Sequence, residues 1–460
     1  MKMTKRISLL FLLSVILFSC NNDDSESDYI NIDDRLYAGG ETTIFSATSN
    51  SYALPAPNLS DEDYETHLAG DFQFESTFIT APASINQGLG PIFNNNSCVT
   101  CHPRDGRAKH PTNINAANGL LVRASIFGTD EHGGPNPVPG FGLQIQNRAI
   151  TGYTPEAVLN VTYTESVETL ADGTQITLRK PIVTLSNPYI ALPTGVMLST
   201  RLAPPVFGLG LLEAIPEANL VAAQDISDSN GDGISGKANY VWDPQLQQTL
   251  IGRFGWKANT ATLISQCGAA YVEDMGITSY MFQNESGWQQ ANGNDGITDD
   301  PEITPEVLNS VVLYCRTLGV PAPRNIDKAN VKRGAKIFDE LECAKCHTPK
   351  QQTGNSAITA LKMQTFYPYT DLLLHDMGAE LADNRPDYLA SGTEWKTRPL
   401  WGIGLTNLIN GHTDFLHDGR ARNITEAILW HGGEAQNAKN KFKQLSTPKR
   451  NDLLDFINSL

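Results

Sequence analysis

Cys343-Ala344-Lys345-Cys346-His347 decides the reading of this chain. Two cysteines two residues apart and followed at once by histidine are the attachment signature of a c-type haem. The sulfurs take the vinyl groups as thioethers, and the adjacent imidazole becomes the proximal iron ligand. Cys98-Val99-Thr100-Cys101-His102 repeats the pattern, and Ile92-Phe93 stands before it as Ile337-Phe338 stands before Cys343. The sequence thus predicts two covalent haems in two related units. Structural zinc is the weaker alternative, because each motif offers three ligands where such sites gather four.

Around the second motif the periodicity is helical. Val331, Gly334, Phe338 and Leu341 form one face of a helix leading into it. Thr447-Pro448 opens a last helix with Leu453, Leu454, Ile457 and Leu460 on its buried side. The two helices are expected to cross beside the haem, with Gly334 allowing the close approach. Ahead of Cys98, Pro91 predicts a shorter leading helix. The fold expected is mainly α: two cytochrome c-like haem domains with long loops and a small β-hairpin insertion. The hairpin is read over Tyr163 to Leu178, around the turn pair Asp172-Gly173.

At the other end, Lys2, Lys5 and Arg6 precede an apolar run from Ile7 to Phe18, too short to span a membrane. Leu17-Phe18-Ser19-Cys20 looks like a lipobox, making Cys20 the lipidated first residue of a lipoprotein; simple secretion is the alternative. The division expected is a leader over 1–20, a polar tether and extended wrap over 21–79, an N-terminal haem domain over 80–325 and a C-terminal one over 326–460. The protein is expected in the periplasm or on the surface of a Gram-negative bacterium, held to the membrane by its lipid alone. A net charge of −16 argues against nucleic acid and suits a basic electron donor.

Of seven cysteines, Cys20 and the four of the motifs leave Cys267 and Cys315. These read equally well as a disulfide of an exported protein or as two buried thiols. Arg104, Asp105, Arg107, Lys109 and His110 follow the first motif, either to hold haem propionates or as a solvated loop. Asp228, Asn230 and Asp232 alternate ahead of Gly233, like the first half of a calcium loop. Asn239 stands where such loops carry glutamate, so an Asx-rich turn is the other reading.

Several separated stretches then resemble one family. Phe415-Leu416-His417-Asp418-Gly419, Glu426-Ala427-Ile428 and His431-Gly432-Gly433 resemble the C-terminal part of bacterial di-haem cytochrome c peroxidases. Gly208 to Glu213, Asp232 to Gly236, Phe254 to Lys257, Asp274 to Ile277 and Asp371 to Asp376 extend the likeness to the di-haem oxidoreductase family, also called thiol oxidoreductases. The resemblance implies one six-coordinate electron-carrying haem, held by the second motif, and another with an openable iron face for peroxide or another small oxidant. His431 stands where the peroxidases carry a methionine ligand. It is therefore the expected sixth ligand at Cys343 and Cys346, with a lower potential as the consequence; His417 and His375 are its competitors. Thr397-Arg398-Pro399-Leu400-Trp401 matches the peroxidases' Thr-Pro-x-Leu-Arg only in part. His132, His110 and Glu213 are candidates for the distal acid/base. An electron-donor protein or a quinol-linked chain is the implied partner. A non-enzymatic electron carrier and a dithiol oxidoreductase are the alternative functions.

Overall fold

The structure, a computed structural model, describes residues 29–294, 296–297 and 300–460. The expected leader and Cys20 lie outside these residues. Helix makes up 29% and strand 19%, so the mainly α expectation is corrected. The difference lies between the two motifs, where long strands pair instead of loops. Leu120–Thr129 pairs antiparallel with Met197–Leu202, and Val158–Thr169 with Gln175–Ser186. Their Val, Ile and Thr content favours extended backbone.

The hairpin is present and longer than expected. Its tip turns on Gly173 at φ +83, and the Thr174 amide donates to Asp172 Oδ1 at 3.0 Å. Most of its side chains are solvated, yet Leu170 and Leu178 at the tip end are buried against the C-terminal helices. Glu168 accepts from Lys439 and Lys443 at 2.7 and 2.6 Å, and Asp172 from Arg450 at 2.5 Å. The hairpin therefore works as a strut from the middle of the chain onto its last two helices, Gln436–Gln444 and Thr447–Ser459.

Within the segment expected to be extended lies a helix, Asp61–Glu75. Ser60 caps it by accepting from the Asp63 amide at 3.1 Å, and three acidic residues fill its first turn. It lies on the helix Pro305–Thr317, and a Cβ at Gly70 would strike the Ser310 backbone. No helix leads into the first motif. Ile92–Phe93 is a short strand against Arg148–Ala149, and the motif itself makes one helical turn, Cys98–Cys101.

The helix Ala329–Glu340 crosses Thr447–Ser459 as expected, with Val331, Phe338, Leu453, Phe456 and Ile457 buried at the contact. Leu454 is only half-buried. At the crossing, a Cβ on Gly334 would overlap the Asp452 carbonyl and sit 2.7 Å from Phe456 Cβ. Gly334→Ala adds helix propensity worth about 1 kcal/mol, but a backbone carbonyl cannot swing away as a side chain can. The variant should be less stable by about 1–3 kcal/mol in chemical denaturation; a gain in stability would show that the helices have room to part.

Candidate functional site

The second motif is set by the end of its leading helix. Glu342 takes a left-handed conformation, φ +67, and starts the short turn Cys343–Lys345. The His347 amide donates back to the Cys343 carbonyl at 2.9 Å. Both sulfurs and the imidazole thereby reach one cavity of about 270 Å³, walled on its apolar side by Phe338, Ile424, Leu453 and Ile457. His347 Nδ1 lies 3.1 Å from the Tyr369 carbonyl. A proton on Nδ1 makes that bond and leaves the Nε2 lone pair free.

His431 lines the same cavity. It stands at the end of the helix Ile424–Trp430, whose cap is Asn423, accepting from the Glu426 amide at 2.9 Å. Its Nδ1 is 2.7 Å from the Ala427 carbonyl. Burial holds both imidazoles below their ordinary pKa, His347 down to about 4, so each is neutral at pH 7. A neutral ring with Nε2 free is the form that ligates iron.

The first motif repeats the arrangement. His102 Nδ1 meets the Pro204 carbonyl at 2.7 Å, and burial lowers its pKa to about 4. Asn95 Nδ2 lies 2.9 Å from Cys101 Sγ. Of nine histidines in the chain, these three rest Nδ1 on a backbone carbonyl. The others are spent differently. His375 has Asp371 on Nε2 at 2.8 Å and Glu434 on Nδ1 at 2.7 Å. His412 bonds the Arg107 carbonyl through Nε2 and the Asp414 amide through Nδ1. His417 stacks on Trp395 at 3.8 Å and also lines the cavity.

A family model described as "Di-haem oxidoreductase, putative peroxidase" matches residues 32–460. The chain belongs to the di-haem oxidoreductase family. No curated protein and no solved structure matches it. Membership implies two haems, and the chain has two sets of donors that fit them. Each set has two cysteines and one imidazole of the right tautomer, and the second opens onto an apolar cavity.

The remaining candidates of this di-haem oxidoreductase fall out unevenly. Glu213 is paired to Arg316 at 2.6 Å and caps the Leu263 amide at 2.7 Å. His132 stacks on Trp242 at 3.9 Å and stands next to Glu131. His110 is buried, with its Nδ1 3.1 Å from the Tyr163 hydroxyl. Cys267 and Cys315 come together from two packed helices as hydrogen-bonded thiols; that bond and burial push the Cys315 pKa well up. In the acidic loop, Asp228 Oδ1 accepts from the Asp232 amide at 2.9 Å and Asn230 Oδ1 from the same amide at 2.9 Å. Asp232 accepts from the Ile234 amide at 2.9 Å and lies 3.1 Å from Lys345, inside the second motif. These bonds form an Asx-type turn that docks on the second Cys-x-x-Cys-His motif.

Near the first motif, Asp105 and Asp274 carry a proton-holding signal that the sequence did not show, since it offered Asp105 only for propionates or a loop and Asp274 only within a family likeness. Asp105 accepts from the Tyr314 hydroxyl at 2.8 Å, and Asp274 from Gln144 Nε2 at 2.7 Å. Burial pushes each up to about 7, poised to hold or release a proton near neutrality. The Asp274 carbonyl also takes the Asn94 and Asn95 amides just ahead of Cys98.

Glu434 ties the second site together. It accepts from Ser235 Oγ at 2.7 Å, the Ser235 amide at 3.1 Å and the Asp376 amide at 3.2 Å, besides bonding His375. Burial raises its pKa, but the His375 imidazole and the Ser235 hydroxyl outweigh that and hold it at about 2. A folded pKa below the usual 4.5 means its stabilisation is present above pH 4.5 and lost as pH falls toward 2. Glu434→Gln should cost about 1.5–3 kcal/mol at pH 7 and flatten the stability profile across that acid window. Equal acid sensitivity in variant and parent would show that the carboxylate is not the hub.

Proposed function

We propose that this protein is an exported di-haem c-type oxidoreductase that reduces peroxide or another small oxidant. The observation that supports this reading is an asymmetry between the two motifs. His347 and His431 face one cavity, each with Nδ1 on a backbone carbonyl, whereas among the described residues His102 is the one such imidazole beside its own motif. Cys343, Cys346 and His347 would hold the electron-carrying haem, with His431 as second axial ligand. Cys98, Cys101 and His102 would hold the other, leaving one iron face for the oxidant.

Bound haem supplies one-electron redox chemistry at iron and, where a coordination position is free, a place for an oxygen ligand. The chain does the rest. The carbonyls of Pro204, Tyr369 and Ala427 fix the ring planes and tautomers before any ligand arrives. Asp105 and Asp274, poised near pH 7, are the groups suited to hold protons beside the first motif. The apolar walls around His347 and His431 would limit the access of water to an electron-carrying haem there.

Electrons would come from a basic donor protein or a quinol-linked chain, drawn to a surface with net charge −16. A lipid on Cys20 would keep the protein at the membrane. Among the described residues no helix is long and apolar enough to cross one. A dithiol mechanism gains little here, since the raised pKa of Cys315 disfavours the reactive thiolate.

Acid–acetone extraction should leave two haems on each polypeptide. One haem, or haem lost to the solvent, would overturn the covalent assignment. His431→Gly should turn one low-spin haem high-spin, with imidazole in solution restoring the first spectrum; an unchanged spectrum would move the ligand to His417, the other neutral imidazole on that cavity. With a reduced donor, the parent protein should consume hydrogen peroxide, and none consumed at any donor potential would favour a plain electron carrier.

A further inference from the structure

Removing a cation from water without a counter-charge is among the costliest arrangements in a protein interior. Most buried cations here are compensated. Lys257 lies 2.7 Å from Asp383, Arg201 3.3 Å from the same carboxylate, Arg385 3.1 Å from Asp387 and Arg420 2.7 Å from Asp418. Three cations on the wall of the cavity are not. Lys396, only 4% exposed, donates to the Arg253 carbonyl at 2.5 Å. Arg107 gives Nε to the Asp414 carbonyl and Nη2 to the Leu416 carbonyl. Arg398 has its guanidinium carbon 4.9 Å from the centre of the Trp256 ring. Among the described residues, none of the three forms an ion pair with a carboxylate.

They are also close to one another. Arg107 stands over Trp256 as well, at 5.2 Å, so two guanidinium groups share one indole. The indole is pinned by its own N–H, which donates to the Leu202 carbonyl at 2.8 Å. Burial first, and then the charge of Arg398, lowers the pKa of both Arg107 and Lys396, and the charges of Asp414 and Asp418 offset this only in part at Arg107. Three basic side chains without ion-pair partners, gathered in one buried cavity, suit a negative group entering it. The same cavity is lined by Cys343, Cys346 and His347.

We infer that Arg107, Lys396 and Arg398 form a binding site for the propionate carboxylates of haem, and that they raise the reduction potential of the haem they hold. The inference rests on the proposed attachment of haem at Cys343 and Cys346. A guanidinium meets a carboxylate with two parallel N–H···O bonds, and a desolvated pair of this kind is strong. The positive charge that remains near the iron favours the ferrous state. Because Arg107 follows the first motif by five residues while Lys396 and Arg398 belong to the second half of the chain, the site also ties the two halves to one ligand.

The test is a redox titration of the holoprotein and its Arg398→Leu variant, with haem content and spin state read alongside. One of the two midpoint potentials should fall so that the ferrous-to-ferric ratio at a fixed ambient potential drops on the order of tenfold, about 59 mV for one electron. Arg398→Lys should keep most of the parent potential, and axial ligation should be unchanged in both. Should Arg398→Leu fail to accumulate, Lys396→Met carries the same expectation. Two haems bound and both potentials unmoved would overturn the inference while leaving the haem reading intact. Absence of haem from Cys343 and Cys346 in the parent protein would overturn both. Acetate added to the parent should have no effect, because the site is already filled; a saturable shift with acetate would mean that the site takes a free anion, and the inference would fail.

Discussion

A hydrogen bond from an imidazole Nδ1 to a backbone carbonyl is the constraint on which this structure depends. His102 makes it to Pro204, His347 to Tyr369 and His431 to Ala427. Each carbonyl comes from a different local structure: a proline-rich connection, a loop following the motif, and the last turn of a helix. Each bond fixes both the ring plane and the tautomer, so the nitrogen left over is the one able to ligate. Burial then keeps the rings neutral at working pH, where a protonated ring would be useless as a ligand.

Around those three rings the chain arranges its charges with care for distance. His375 sits 3.5 Å from Cys346 Sγ, but its two nitrogens are engaged by Asp371 and Glu434, which hold it as a cation and take it out of contention as a ligand. Glu434 in turn reaches Ser235, and Asp232 of the same acidic loop reaches Lys345. The loop, which the sequence offers either as the first half of a calcium loop or as an Asx-rich turn, is thus joined to the second Cys-x-x-Cys-His motif through the Asp232–Lys345 ion pair. The hairpin performs a similar service at longer range, where Glu168 and Asp172 grip the last two helices.

Much of the site was legible in the sequence because its chemistry is written in adjacent residues. The two Cys-x-x-Cys-His motifs and the helix ending at His431 are local features, and helical spacing alone marked the faces that meet at Gly334. Other features were not local. Beyond the hairpin, the strands Leu120–Thr129 and Met197–Leu202 were not read, because each has its partner on the other side of the hairpin rather than across a short turn. The helix Asp61–Glu75 buries only His67, Gly70 and Phe74, too thin a stripe to stand out from a polar run. The cationic group around Trp256 draws on three separate segments, at 107, 256 and 396–398. Nothing in any one of them announces that, among the described residues, their charges will be brought together with no ion-paired carboxylate.

The central claim is that the two irons are coordinated differently, one between two imidazoles and the other with a face open to a small oxidant. Electron paramagnetic resonance of the oxidised holoprotein, recorded before and after adding cyanide, tests it most directly. The account predicts one low-spin signal of bis-imidazole type that cyanide leaves alone, and a second haem whose signal cyanide converts. Two low-spin signals both indifferent to cyanide would contradict it, as would a resting protein with no bis-imidazole signal.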